Sequence, residues 1–191
     1  MKLVCILMAA GAGKRFGSNK LVALYEGKPL YLRAMEAIPA ELFEAVVVVT
    51  GCEDILAEAE ERGFDTVLND KPEEGSSRTI RLGIDRAREY GADAAMFMVC
   101  DQPRLKRDSV AKLIDDFLAH PERIALMADG TRRGNPAIFP EEFFGELYAL
   151  PEDAGGSLVI CRHEDRLTLH QIADPRELVD VDRREQLIID N

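Results

Sequence analysis

The chain has 191 residues, of which 47% are hydrophobic and 31% are charged, so we expect one domain over residues 1–191 rather than two small ones. The formal net charge of −11 argues against a general nucleic-acid-binding protein, because such proteins carry a basic face that neutralises phosphates. No apolar run approaches the roughly 20 residues that span a bilayer, and the start of the chain lacks a signal-peptide pattern. We therefore expect a cytoplasmic protein without a membrane segment.

Apolar runs alternate with helical patterns along the first two thirds of the chain. The runs predict strands at residues 3–8, 45–50, 66–68, 94–100 and 124–127, and the patterns predict helices at 29–38, 53–62, 77–90 and 109–119. We expect Pro29 to start the first helix, where its missing N–H costs little, and Asp108 or Ser109 to cap the last. The alternation predicts an α/β fold in which helices cover a mostly parallel sheet.

The pattern changes after Met127. A turn at Asp129-Gly130, the tripeptide Gly134-Asn135-Pro136 and the short apolar run 137–139 predict a hairpin over the carboxyl edge of the sheet. The remaining elements are predicted to be helices at 141–149 and 155–162, a strand at 167–172 and a terminal helix from Arg183.

The loop after the first strand is rich in glycines and cations. The glycines are Gly11, Gly13 and Gly17, and the cations are Lys14, Arg15 and Lys20. Glycine lets backbone N–H groups approach an anion closely, and the cations neutralise it. Arg15 stands where the Walker pattern needs Ser or Thr, and the third glycine comes too late for the dinucleotide fingerprint. The loop therefore predicts a triphosphate site; the alternative is an ordinary turn with solvated cations.

Asp101 directly follows the apolar run of residues 94–100. Ligands of α/β sheets bind beyond the carboxyl ends of the strands, so we expect Asp101 and the glycine loop to face one ligand. Mg²⁺ is commonly held by one or two carboxylates together with substrate phosphates. Asp101 is therefore predicted to bind Mg²⁺, and the alternative is an aspartate that shapes a turn or caps a helix.

Several motifs together carry a resemblance to a known family. They are the stretch 9–21, Gly27-Lys28-Pro29-Leu30, Asn69 with Glu74-Gly75, Arg81-Leu82-Gly83, Asp101-Gln102-Pro103, Gly134-Asn135-Pro136 with Phe139, and Asp180-Val181-Asp182. This set resembles the nucleotidyltransferases that mature molybdenum cofactors, most of all the cytidylyltransferases, over nearly the whole chain. The resemblance implies a three-layer Rossmann-like nucleotidyltransferase fold with a small acceptor region over the carboxyl edge.

The resemblance also implies roles for individual residues. The catalytic residues would be Arg15, Lys20 and Asp101. The nucleotide-binding residues would be Ala9, Ala10, Gly11, Ala12, Gly13, Lys14, Asn69 and Ser77. The acceptor-binding residues would be Gly134, Asn135 and Asp153, and the metal ligands Asp101 and Asp182.

The sequence departs from the family pattern in two places. Arg183-Arg184 stand where relatives have Thr-Pro, so Asp182 is either a metal neighbour or the cap of the terminal helix. Residues 152–156 lack the first glycine and the alanine of the family's Gly-Asp-x-Gly-Ala element, which weakens the role of Asp153. A plain capped helix remains the alternative around Ser77, and a tight polar turn the alternative around Asn135.

The implied activity is the Mg²⁺-dependent transfer of CMP from CTP to molybdopterin, with release of pyrophosphate. Ala10 resembles the relatives that use CTP, because guanylyl-transferring relatives tend to have glycine there. The implied partners are these substrates and a molybdoenzyme or its maturation chaperone. The alternatives are transfer from GTP or another nucleoside triphosphate, transfer to a sugar or polyol phosphate, and a non-catalytic nucleotide-binding accessory protein.

Overall fold

The computed structural model describes residues 1–10 and 20–187. In that part of the chain the strands are β1 (Leu3–Ala9), β2 (Leu24–Tyr25), β3 (Lys28–Pro29), β4 (Ala45–Thr50), β5 (Asp65–Leu68), β6 (Ala94–Val99), β7 (Ile124–Asp129), β8 (Arg132–Pro140) and β9 (Leu167–Gln171). The helices are α1 (Leu30–Glu36), α2 (Glu53–Glu61), α3 (Ser76–Glu89), α4 (Arg107–Ala119), α5 (Phe144–Tyr148) and α6 (Ser157–Arg162).

Seven of the strands form one central sheet in the order β5-β4-β1-β6-β8-β7-β9, and β2 pairs with β3 separately. The pairs β1–β4, β1–β6, β4–β5 and β7–β9 are parallel, whereas β8 is antiparallel to both of its neighbours. Six strands therefore run in one direction. This confirms the α/β fold with a mostly parallel sheet.

The sheet is covered on both faces, as the continuous apolar strands require. On β1, Leu3, Cys5 and Leu7 pack towards α1, α2 and α4, whereas Val4 and Ile6 pack towards α3, α5 and α6. A Cβ at Gly83 of α3 would lie 2.6 Å from Cγ2 of Ile6, so this glycine lets α3 approach the sheet closely. The result is a three-layer arrangement.

Within the described residues, no helix has the length and apolar character needed to cross a membrane.

The predicted hairpin is part of the sheet rather than a layer over its edge. The strands β7 and β8 pair with each other, and Ala137 to Pro140 pair with β6. Phe97 is the last residue of β6 paired with β8, so the hairpin tip projects beyond the carboxyl end of β6. The sequence predicted the hairpin, but the pairing of β8 with β6 sets its position within the sheet.

The predicted cap of one helix was wrong, and the predicted terminal helix extends beyond the described residues. Helix α4 begins at Arg107 and Lys106 is its N-cap residue, so neither Asp108 nor Ser109 caps it. Instead, the carboxylate of Glu177 accepts a hydrogen bond from the backbone N–H of Lys106 at 3.1 Å. Of the predicted terminal helix, the described residues show a 3₁₀ turn over Arg184–Leu187.

Candidate active site

The carboxyl edge of the sheet carries a lysine that contacts two aspartates. Nζ of Lys20 lies 2.9 Å from Oδ2 of Asp101 and 3.3 Å from Oδ1 of Asp182. Partial burial lowers the pKa of Lys20, but the attraction of Asp101 and Asp182 outweighs it, so its pKa lies above the ordinary value. The lysine is therefore a permanent cation between two carboxylates.

Asp101 is placed by the strand before it. Strand β6 is buried almost throughout and pairs with β1 along its length, with Met8 opposite Val99. Asp101 follows two residues after this pair, at the same sheet edge where the chain leaves β1. The predicted juxtaposition of Asp101 with the start of the glycine loop is therefore present.

Asp182 is placed by an irregular segment that runs beside the residues following β6. The backbone N–H of Val181 donates to the carbonyl oxygen of Asp101 at 2.8 Å, and Nε2 of Gln102 donates to Oδ1 of Asp180 at 3.0 Å. Partial burial and the nearby Asp101 raise the pKa of Asp180. Asp182 caps no α-helix; its backbone N–H instead donates to Oε1 of Gln186 at 2.7 Å.

Most of the predicted phosphate loop lies outside the described residues. This applies to Gly11, Ala12, Gly13, Lys14 and Arg15, whose roles stay predictions. Ala9 ends β1, and its carbonyl oxygen accepts a hydrogen bond from Oγ1 of Thr50 at 2.7 Å. Ala10 follows directly, so both predicted alanines lie at the same sheet edge as Asp101.

The start of α3 also faces this edge. Ser77 is fully buried, and its Oγ has no hydrogen-bond partner within the part of the chain that the structure describes. An orphaned buried hydroxyl close to the positive end of a helix is consistent with a polar or anionic ligand. The predicted role of Ser77 in nucleotide binding stays a prediction with this geometry in its favour.

Asn69 is also fully buried, but its side chain bonds to its own protein. Nδ2 donates to Oγ1 of Thr79, and Oδ1 accepts from the backbone N–H of Lys71 and from Nε of Arg78. A Cβ at Gly51 would lie 2.6 Å from the carbonyl oxygen of Asn69, so the glycine permits this packing. Asn69 shapes the connection between β5 and α3, and a direct contact with nucleotide stays a prediction.

Two of the three predicted acceptor residues line a cavity of about 420 Å³ between the sheet and helices α3 and α6. Gly134 and Asn135 line it, and Gly134 also packs on Leu178, since a Cβ there would lie 3.0 Å from Cδ1 of that leucine. Asp153 lies against the start of α3, where a Cβ on Gly75 would fall 2.0 Å from its Oδ1. Arg133 and Ser76, which adjoin the predicted Gly134-Asn135 and Ser77, also line the cavity, whereas the sequence prediction missed Ser157 of α6 because it belongs to no motif.

Comparison with known proteins places this geometry in a family. The MobA-like NTP transferase domain matches residues 5–167. The chain belongs to this family. As a MobA-like NTP transferase domain it is a nucleotidyltransferase.

Individual relatives agree with this assignment. A probable molybdenum cofactor guanylyltransferase from Bacillus licheniformis is 23% identical over 194 residues, which cover 98% of this chain and 95% of the relative. A molybdenum cofactor guanylyltransferase from Rhodobacter capsulatus is 32% identical over 128 residues, which cover 64% of this chain and 63% of the relative. A solved nucleotidyl transferase from Methanothermobacter thermautotroptrophicus has the same fold, with a TM-score of 0.79 at 18% identity and coverage of 100% of this chain and 99% of that one.

The carboxylates of this MobA-like domain fit a magnesium ion in part. Asp101 and Asp182 already converge on one cation, the ammonium of Lys20, and carboxylate oxygen is the donor that Mg²⁺ prefers. Across residues 1–10 and 20–187, no three His, Cys, Asp or Glu side chains cluster as a complete metal site. Two protein ligands would leave positions for substrate phosphates, which is the usual arrangement for Mg²⁺ at nucleotides.

Proposed function

We propose that this nucleotidyltransferase moves CMP from CTP to molybdopterin carrying molybdenum and releases pyrophosphate, with Mg²⁺ as cofactor. The observation that carries the reaction type is the Lys20 ammonium between Asp101 and Asp182 at the sheet edge where the glycine loop begins. The cytosine preference rests on Ala10 alone, by analogy with relatives that use CTP.

In the proposed reaction an oxygen of the acceptor phosphate attacks the α-phosphorus of CTP. A new oxygen–phosphorus bond forms, the bond from the α-phosphorus to the bridging oxygen breaks, and pyrophosphate leaves with that electron pair. A phosphate monoester has a second pKa near 6 and is largely ionised at neutral pH. No side chain is therefore required to remove a proton from it.

Lys20 and the two aspartates would act by position and charge. A lysine ammonium has three N–H donors, and two of them go to Asp101 and Asp182 in the described contacts; the third can be donated to a phosphate oxygen. The aspartates would hold Mg²⁺, which when bound neutralises charge on the phosphates. The predicted Arg15 would add a second cation.

The cavity beside Asn135 suits the acceptor. Its walls are mainly apolar, with Ile80, Phe97, Phe139 and Ile160 among them, and Arg133 supplies one cation. Among the described lining residues there is no Asp or Glu to bond the hydroxyl groups of a sugar or polyol. These walls favour an anionic acceptor with a largely planar or apolar body over a sugar or polyol phosphate.

GTP is the second candidate donor. Both molybdenum-cofactor relatives compared above are named guanylyltransferases, which weighs against the inference from Ala10.

The deciding experiment measures pyrophosphate release with loaded molybdenum cofactor, Mg²⁺ and each of CTP, GTP, ATP and UTP. We expect the highest kcat/KM with CTP. A higher value with GTP would move the proposal to guanylyl transfer, and tight nucleotide binding without any pyrophosphate release would indicate an accessory protein.

A further inference from the structure

Residues 174–182, here named the acidic strap, carry Asp182 to the site without help from a regular element. A 3₁₀ turn covers Pro175–Leu178, and the residues from 179 to 183 belong to no helix or strand. The position of Asp182 therefore depends on individual contacts. Along the strap, Glu177 accepts from Lys106, the carbonyl oxygen of Leu178 accepts from Arg132, and Val181 donates to Asp101.

The strap has an inner and an outer side near its end. Val181 is buried in an apolar cluster with Tyr25 and Leu30. The residues on either side of it contact polar partners instead, Asp180 with Gln102 and Asp182 with Lys20. A restraint on Asp180 therefore limits rotation of the chain around the buried Val181, and so limits where the carboxylate of Asp182 lies.

Gln102 supplies that restraint and gains little else from its place. Its side chain is buried, with 4% of the residue exposed. Nε2 bonds Asp180, but Oε1 is buried without a partner among the residues that the structure describes. An unpaired buried amide oxygen lowers stability, and an apolar residue of equal length would avoid that cost. Stability of the fold alone does not explain a glutamine here.

We propose that Gln102 is a positioning residue: by bonding Asp180 it holds the acidic strap so that Asp182 faces Asp101 and Lys20. The inference rests on the proposed metal-dependent transfer, because it assigns to Gln102 the alignment of the two carboxylates. Partners that orient metal-binding side chains typically change metal affinity by about 10- to 100-fold when they are removed.

The test begins with Gln102→Met, which keeps the side-chain length and removes both polar atoms. We expect a melting temperature equal to or above that of the unchanged protein, and faster amide hydrogen exchange in peptides spanning residues 178–183. With CTP or GTP present, Mn²⁺ affinity measured by electron paramagnetic resonance should fall about 10-fold. Gln171→Met is the same change at a residue that bonds Gly130. It should alter neither the hydrogen exchange of residues 178–183 nor the affinity for Mn²⁺.

Two variants of Asp180 separate positioning from direct metal binding. Asp180→Asn keeps an oxygen that accepts from Gln102, so Mn²⁺ affinity should stay near that of the unchanged protein. Asp180→Leu removes the acceptor, so its Mn²⁺ affinity should match that of Gln102→Met. The double variant Gln102→Met/Asp180→Leu should bind Mn²⁺ no more weakly than either single variant, because both changes break the same hydrogen bond.

Three outcomes would overturn the inference. These are unchanged exchange and Mn²⁺ affinity in Gln102→Met, an equal loss of affinity in Asp180→Asn and Asp180→Leu, and additive losses in the double variant. If the unchanged protein bound no Mn²⁺ with either nucleotide, the proposed metal-dependent function would fail instead. Hydrogen exchange of the strap would still decide whether Gln102 anchors it.

Discussion

Asp101 and Asp182 contact the same ammonium but belong to differently built parts of the chain. Asp101 follows β6, which is held between β1 and β8 inside the central sheet. Asp182 lies at the end of the acidic strap, which hydrogen bonds and the buried side chains of Leu178 and Val181 hold in place. A continuous buried strand positions the first carboxylate, whereas separate hydrogen bonds and two buried side chains position the second, so mutations should disturb them in different ways.

The largest effect is expected from Asp101→Asn, which removes charge at the better-anchored carboxylate. Turnover should fall by about three orders of magnitude, because charge stabilisation of transferred phosphoryl groups is worth several kcal/mol. The thermal melting curve should stay unchanged, since the substitution alters no core volume. Steady-state pyrophosphate release measures the loss, and Asp108→Asn on the surface of α4 serves as the charge-matched control. Normal turnover in Asp101→Asn would contradict its role.

Lys20→Ala should have the next largest effect, because it removes the cation that both carboxylates share. We expect kcat/KM for the nucleotide to fall about 100-fold. Since the pKa of Lys20 is raised, the lysine stays charged up to and above its ordinary pKa, and loss of its proton should cause no fall in rate between pH 7 and 9. Nucleotide affinity and rate that both survive Lys20→Ala would remove this residue from the site.

The packing that anchors Asp101 is tested by Met98→Ala in β6. Met98 is fully buried, and its truncation should lower the free energy of unfolding by about 2 kcal/mol. This value is at the low end for buried Met→Ala changes, because flexible methionine side chains in the same core cluster can move into the space that is left. Urea denaturation measures the change. The contrast is with Gln102→Met, for which no loss is expected. A greater loss of stability in Gln102→Met than in Met98→Ala would reverse the comparison.

A smaller effect is expected from Arg132→Ala at the hairpin end of the strap. Nη2 of Arg132 donates to the carbonyl oxygen of Leu178 at 2.8 Å, and a single part-buried hydrogen bond of this kind contributes about 1 kcal/mol. We expect Mn²⁺ affinity in the presence of nucleotide to fall about threefold, less than in Gln102→Met, KM for the acceptor to stay unchanged, and hydrogen exchange at residues 176–183 to increase slightly. A change in KM for the acceptor without faster exchange of the strap would show that the hairpin does not act through the strap.

The last prediction is that Cys100 reacts very slowly with a thiol reagent. This thiol lies immediately before Asp101, and burial raises its pKa, so little reactive thiolate forms. Iodoacetamide should therefore label exposed Cys161 long before Cys100, as peptide mass spectrometry can follow. Equal labelling rates would mean that the end of β6 opens readily, and the anchoring of Asp101 would be no firmer than that of Asp182.

Much of the fold could be predicted because its elements have strong local patterns. Strand β1 and strand β6 are nearly continuous apolar runs, as a strand buried on both faces must be, and their carboxyl ends place Ala10 and Asp101 at one edge of the sheet. The predicted cap of α4 was wrong because the carboxylate of Glu177, 71 residues away, bonds the N–H of Lys106. A local capping rule contains no information about so distant a competitor.

The sequence by itself determined the layers of the protein, the direction of most strands and the first half of the site, because these follow from short-range periodicity and from what a buried strand must be made of. Only the tertiary structure decided where β8 pairs and how Asp182 reaches Lys20. The second carboxylate is held by Gln102 and by the backbone of Asp101, far from it in sequence. Such contacts form only once the sheet has brought both segments to one edge, so no local pattern records them.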